Sequence, residues 1–474
     1  MLTKMTGILS IALACLVGLA ACGGGGAAGA TAAVTTAAAT EAVATETTAA
    51  APAAQETTAA VTEAATEETQ TEQFSYWIQK FEDWNMEYFQ NQSDKYNELN
   101  RGYIADVQFM PGDVWTDQMT AAVASGSAPD GYTISYNNIV SAVTQGQLMP
   151  LDDLFPKAEI DDIHNNIRSM ATVNGKLYSY PQLVEPSSVL YYRTDLFEQA
   201  GIAEPPKSWD EMIDVGKKLT TADIYGLEIG DFPSFGWCTW GIQYATAGHL
   251  AINDNWDAPI IDQRYKDLAL YYKRLYDEKV VPEQAIAGYT DIAPFGTGQV
   301  AMQICGSWGV AGIINDFPDM ADKFSVAPIP TQDGDQDKPT ATNGGWTFAI
   351  DAMSSHPKAA ADYIGYLLAE DPAVPAEFFA IAQYSKGATR KSVDDYISVN
   401  VGSNDAPWAS KIAYVASRAI PEPVYPWDIS VAVSTMFESV AINGENVDNA
   451  ADACIETIKQ VIENNSLPGT NPNK

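Results

Sequence analysis

From Phe74 onward the apolar residues of this chain fall into two rhythms. Short apolar or alternating blocks predict strands, and longer stretches with apolar residues every three or four positions predict helices packed on them. Strands are predicted at Phe74–Ile78, Ile104–Phe109, Tyr132–Ile134, Ser188–Tyr192 and Val300–Cys305, with a small hairpin at Val173–Tyr178. Helices are predicted over Phe81–Leu99, Val114–Ser125, Asn138–Gln145, Arg264–Lys279, Pro357–Ala369 and Asn449–Glu463. Ser208-Trp209-Asp210-Glu211 reads as a capping box, in which Ser and Glu side chains satisfy free N–H groups at the start of a helix. Strand and helix in alternation predict an α/β fold with mostly parallel pairing through right-handed crossovers.

One stretch concentrates the chemistry. The strand Val300–Cys305 ends in the turn Gly306-Ser307, and Trp308 then opens a helix through Val310, Ile313 and Ile314. In open α/β sheets ligands sit beyond the carboxyl ends of strands. The turn therefore hangs a flat aromatic over a prospective ligand crevice, with a core or rim position as the other reading of Trp308.

The N-terminal segment changes the picture. Lys4 precedes an apolar run, Ile8 to Ala21, too short to span a bilayer and followed at once by glycines. Leu19-Ala20-Ala21-Cys22 resembles the lipobox of bacterial lipoproteins. The resemblance implies a signal peptide over 1–21, cleavage before Cys22, and acyl chains on that cysteine that anchor the protein to the outer face of the cell membrane. Residues 22–73 are rich in Ala, Thr and Glu and, from Gly23 to Gln73, hold no aromatic residue, Lys or Arg. Such a segment cannot offset its chain entropy by burial, so a disordered tether is predicted, with a span of about 40 Å by random-coil scaling.

The rest, from Phe74, is long enough for two lobes. With 61 acidic against 26 basic residues the formal charge is −35, which argues against nucleic acid and anionic lipid as partners. Of five cysteines, Cys15 leaves with the signal and Cys22 is the lipid site. Cys238, Cys305 and Cys454 lack CxxC spacing, so no structural metal is expected; one bridge plus one buried thiol is open to them.

Several stretches together resemble extracellular solute-binding protein family 1, the sugar-binding lipoproteins of ABC importers. They are Ala124–Asp130, Gly146–Leu154, Asn174–Tyr178, Leu190–Phe197, Pro205–Glu211, the stretch through Gly306-Ser307-Trp308, Ala327–Pro330 and Gly344-Gly345. The resemblance implies a two-lobed periplasmic-binding-protein-like α/β fold, each lobe a mostly parallel sheet flanked by helices, closing about a multi-strand hinge. Lobe 1 is expected over 74–184 plus 329–385 and lobe 2 over 187–327 plus 388–474, with crossings near Val184–Ser187, Ala327–Ile329 and Lys386–Ala388. Arg193 stands where the family usually has Asn, and either pairs within its lobe or reaches a ligand hydroxyl.

A sugar presents flat C–H faces and rings of hydroxyls, so its site needs aromatic platforms with carboxylates or amides. By the resemblance, Trp308 stacks on sugar and Glu185 in the first hinge segment accepts its hydroxyls, unless Glu185 is a solvated loop residue. Gln79 and Asn137 follow strands where the family presents polar contacts, or cap helices instead. Trp237 and Trp240 share one helix face; Trp240 is taken for the ligand and Trp237 for the core. Trp346 follows Gly344-Gly345, where backbone can approach a cleft closely. Trp427 is a further rim candidate.

The expected protein is a non-catalytic, monomeric receptor without cofactor or metal, delivering a carbohydrate to the permease subunits of an ABC importer. Polyamine, peptide and ferric ion are the alternative solutes, iron through Tyr191-Tyr192. A surface glycoside hydrolase is the enzyme alternative, but the three histidines are scattered and the acid pairs are adjacent in sequence, so they point apart.

Overall fold

A computed structural model describes residues 71–232, 235–400 and 406–472. The signal peptide, Cys22 and the tether up to residue 70 lie outside the described residues, as do Pro233 and Ser234. The strands are β1 (Glu72–Lys80), β2 (Tyr103–Pro111), β3 (Gly131–Ser135), β4 (Thr172–Val173), β5 (Lys176–Leu177), β6 (Ser179–Pro181), β7 (Glu185–Pro186), β8 (Val189–Arg193), β9 (Met302–Cys305), β10 (Phe324–Ala327), β11 (Thr342–Gly344), β12 (Trp346–Ile350) and β13 (Ile420–Pro421). The first three helices are α1 (Asp83–Glu98), α2 (Gly112–Ser125) and α3 (Tyr136–Thr144).

One sheet runs in the order β2-β1-β3-β12-β6. Here β1 pairs in parallel with both β2 and β3, as alternation with α1 and α2 requires. The returning strand β12 lies antiparallel to β3 and to β6. A second sheet, β10-β8-β9, is antiparallel in its paired strands, and Tyr225 and Glu228 add parallel bridges to Val300 and Gln303. Strands that arrive after a long excursion are free to enter a sheet in either direction, so alternation with helices fixes only the local βαβ units.

The hydrophobic cores divide along the same line. Phe74, Tyr76, Tyr88, Phe89, Tyr180, Leu183, Phe348, Tyr363 and Phe378 belong to one core. Leu190, Trp209, Leu268, Tyr272, Ile329, Phe437 and Ile458 belong to another, and Val189, Tyr191, Phe295, Val310, Ala341 and Trp408 to a third beside the second sheet. Each fully buried large apolar side chain contributes about 1.5–3 kcal/mol. The chain thus leaves the first core after Leu183, re-enters it between Ala341 and Trp346, and joins the third core again by Trp408. This differs from the crossings expected at 327–329 and 386–388. Ile329 packs in the second core and Thr331 bonds back to Lys207, while Arg390 pairs with Asp162 at 2.8 Å within the first.

The Ser208–Glu211 capping box forms as expected, and Cys238, Cys305 and Cys454 are three buried free thiols. No helix among the described residues is long and apolar enough to cross a membrane.

Candidate functional site

Between the two main sheets lies a small one, in the order β13-β11-β7. Gly344 on β11 pairs with Glu185 on β7, and Asn343 pairs with Pro186 on one side and Pro421 on the other. Gly345 then takes φ +135°, and a Cβ there would lie 2.5 Å from the carbonyl oxygen of Leu183. Only glycine fits so close to that backbone.

The turn that carries Trp308 is tied to this sheet. The N–H of Ser307 donates to the Pro186 carbonyl at 3.1 Å, and the Tyr191 hydroxyl donates to the Gly306 carbonyl at 2.7 Å. The Trp308 ring folds back over Gly306, whose missing Cβ would otherwise stand 1.9 Å from Cζ3. Its Nε1 donates to the Thr290 carbonyl at 3.0 Å, and Tyr289 meets it edge-on at 5.6 Å. The ring stays partly exposed, which leaves it area to offer. Beneath it the hydroxyl of fully buried Ser307 has no partner.

Glu185 is 7 % exposed and forms an ion pair with Lys386 at 2.5 Å. It is therefore a buried, compensated carboxylate rather than a solvated loop residue. Glu422, just past β13, sets its carboxyl against Gly344: a Cβ on that glycine would be 1.9 Å from Oε1. Burial, reinforced by the neighbouring Glu185 charge, pushes the Glu422 carboxyl up to about 8. Glu82, at the start of α1, is raised to about 7 by burial, with Lys386 opposing and Glu185 and Asp316 adding to the shift.

The other expected residues are scattered by comparison. Gln79, next to last in β1, is buried with its side-chain oxygen unpartnered. Asn137 lies in the first turn of α3 and accepts from Ser135 Oγ at 2.6 Å, so its oxygen serves the helix start. Trp346 is partly exposed and packs at 4.6 Å on Phe81, which is 45 % exposed. Trp240 is 1 % exposed and donates to Ser430 Oγ at 2.9 Å, which leaves it no face for a ligand in this arrangement. Trp427, 37 % exposed, reaches solvent there, packed on the partly exposed Trp237 at 5.1 Å and on Trp240 at 5.8 Å.

Phe81, Glu82 and Glu422 are residues that sequence reasoning missed. An exposed phenylalanine at the mouth of a helix and a glutamate bracketed by prolines were the available signals. Arg193 binds Asp195, in the helix that follows its strand, through two hydrogen bonds at 2.7 and 2.6 Å, so it pairs locally. Tyr191, one half of the pair considered for iron, is fully buried and donates to backbone.

Comparison with known proteins places this geometry. A family model described as bacterial extracellular solute-binding protein matches residues 67–374. A probable ABC transporter-binding protein of Deinococcus radiodurans is 25% identical over 342 residues, covering 68% of this chain and 73% of the relative. The mannitol-binding protein of Pseudomonas aeruginosa is 26% identical over 266 residues, covering 52% of this chain and 58% of its own length. Among solved structures, the maltose/maltodextrin-binding domain from Bdellovibrio bacteriovorus, bound to maltotriose, superposes with a TM-score of 0.70 at 19% identity, covering 82% of this chain and 100% of that one. The GacH receptor of Streptomyces glaucescens, known unliganded and with acarbose, gives 0.71 at 20% identity, covering 83% and 99%. At such identity the likeness carries the fold, which is that of a two-lobed binding protein.

Proposed function

Because this chain belongs to the bacterial extracellular solute-binding protein family, we propose that it captures a sugar or oligosaccharide between its lobes and delivers it to the permease subunits of an ABC importer. One observation carries the proposal: a partly exposed tryptophan, Trp308, is fixed by Ser307 to the same hinge strand that holds the Glu185 carboxylate. An aromatic face beside a planar acceptor matches the two surfaces of a pyranose. Phe81 and Trp346 supply a second aromatic surface on the other lobe. The mannitol- and arabinooligosaccharide-binding relatives support the carbohydrate class.

The protein in this reading is a non-catalytic, monomeric receptor. Its acyl anchor is Cys22, inferred from Leu19-Ala20-Ala21-Cys22, with the following tether holding the lobes off the membrane. Closure is driven by contacts to both lobes that the open form cannot make together. Gln79, Glu185, Trp308 and Trp346 are the proposed ligand contacts, joined by Phe81 and Glu422.

A thermal-shift screen of the purified protein against sugars, peptides, polyamines and metal ions tests this. A ligand at 100 times its Kd adds about 2.7 kcal/mol of apparent stability, a readable rise in Tm. A rise with glycans that Trp308→Ala reduces is the expected result. Rises confined to peptides, polyamines or iron would overturn the sugar assignment.

A further inference from the structure

The hinge sheet gathers more carboxyl groups than cations. Glu185 and Glu422 flank Gly344, one paired across from it and the other lying against its Cα. Glu82 and Asp316 add two carboxyls from the facing lobes. Among the described residues the cation acting on this group is Lys386, already engaged with Glu185 at 2.5 Å. The titratable groups that reach Glu422 are Glu185 on β7, Tyr136 on α3 and Tyr289 beside the Trp308 turn, none of them a base. Closing the lobes over ionised Glu422 would bury an unpaired charge, the costliest arrangement a protein interior can adopt.

A second observation points to what relieves it. Tyr136 is 2 % exposed and its hydroxyl has no hydrogen-bond partner. It lines the same recess as Glu422, together with Val140, Asn174, Pro421 and Val424. Buried hydroxyls are nearly always bonded, so an orphan beside an uncompensated carboxyl marks a place where a polar ligand group would find a partner.

We propose that the captured sugar carries a basic nitrogen, as in an amino sugar or an amine-bearing oligosaccharide, and that this cation sits in the recess beside Glu422, with that carboxylate as its counter-ion. The Tyr136 hydroxyl accepts a further N–H. This rests on the sugar-binding reading and names the class of sugar. A hydroxyl could donate to the same oxygens but supplies no counter-charge for an ionised Glu422, whereas a protonated amine offers up to three donors and the charge together. Burial holds a proton on Glu422 near neutrality, so capture of a cation expels that proton.

Isothermal titration at about pH 6 decides the matter, using glucosamine oligomers, their N-acetylated counterparts, neutral malto- and arabino-oligosaccharides, and a simple diamine. The expected result is at least tenfold tighter binding of the free-amine oligomer than of its N-acetylated form. Proton release should be visible as a dependence of the heat on buffer ionisation. Glu422→Gln, a neutral isostere of the protonated side chain, should abolish the preference and the proton release. Tyr136→Phe should narrow the preference while leaving the protein folded. Equal or tighter binding of neutral or N-acetylated sugars would overturn the amine assignment and leave the sugar reading intact. Binding of the diamine alone would overturn both. No binding by any probe would overturn the amino-sugar assignment and leave the family fold standing.

Discussion

Replacing Gly306 by alanine adds one methyl group where the Trp308 ring lies on the backbone. That carbon would stand 1.9, 2.1 and 2.2 Å from three ring atoms, against an ordinary contact of about 3.5–4.0 Å. Gly306 is not among the positive-φ residues, so the backbone itself tolerates alanine and the whole cost falls on the ring. To clear the methyl the ring must shift by about 1.5 Å. Such a shift breaks the 3.0 Å bond from Nε1 to Thr290 and the edge contact with Tyr289. The bond is worth about 0.5–1.5 kcal/mol and the aromatic pair a similar amount, so a stability loss of about 1–3 kcal/mol is expected. Sugar affinity should fall by about 1–3 kcal/mol, roughly 5–150-fold, because the displaced platform no longer meets the ligand. Trp308→Ala alone should lose as much affinity, and adding Gly306→Ala to it should cost almost nothing more. Calorimetric titration with the best sugar from the screen, across wild type, both single variants and the double variant, reads this coupling. Wild-type affinity and Tm in Gly306→Ala, or losses that simply add in the double variant, would refute the reasoning.

Lys386→Met should destabilise the protein by about 3–5 kcal/mol in urea unfolding, because it leaves Glu185 buried and unpaired. Adding Glu185→Gln should restore most of that loss, and failure to do so would mean that Lys386 acts through packing. Stability should also depend on pH through Glu422, whose folded value is raised from 4.5 to about 8. Between those values the folded state holds a proton that the unfolded chain has released, so stability falls as pH rises through the window and levels off above about 8. The slope is at most about 1.4 kcal/mol per pH unit for one group, less where water screens it. Melting curves from pH 5 to 8.5 should show this decline in wild type and a flatter profile in Glu422→Gln.

Local rules proved legible where one stretch of chain decides the outcome. The period of Phe74–Ile78 marks β1, and the Ser208–Glu211 spacing marks a capping box that forms with both bonds in place. The turn that carries Trp308 was readable too, because strand, glycine and tryptophan follow one another directly. Choices set by distant partners were not. Trp237 and Trp240 share a helix face, and which one is buried depends on Ser430 and Trp427, almost two hundred residues away. Pro328 and Pro330 looked like hinge residues because proline stiffens a strand. The crossing instead lies at Gly344-Gly345, where a left-handed backbone passes close to Leu183. Glu422 carries no periodic signal at all; its importance appears only when β11 brings Gly344 against it.

The bonds from Ser307 to Pro186 and from Tyr191 to Gly306 have a practical consequence. They make Trp308 part of the hinge's own frame of reference, whereas Phe81 and Trp346 travel with the sheet of the opposite lobe. An environment-sensitive dye attached by a cysteine at position 81 would therefore move against a stationary marker, and energy transfer from Trp308 to it would act as a ruler for closure. Because the three thiols among the described residues are buried, a cysteine added at position 81 to a chain begun at Phe74 could be labelled selectively, turning the protein into an optical gauge for its own solute.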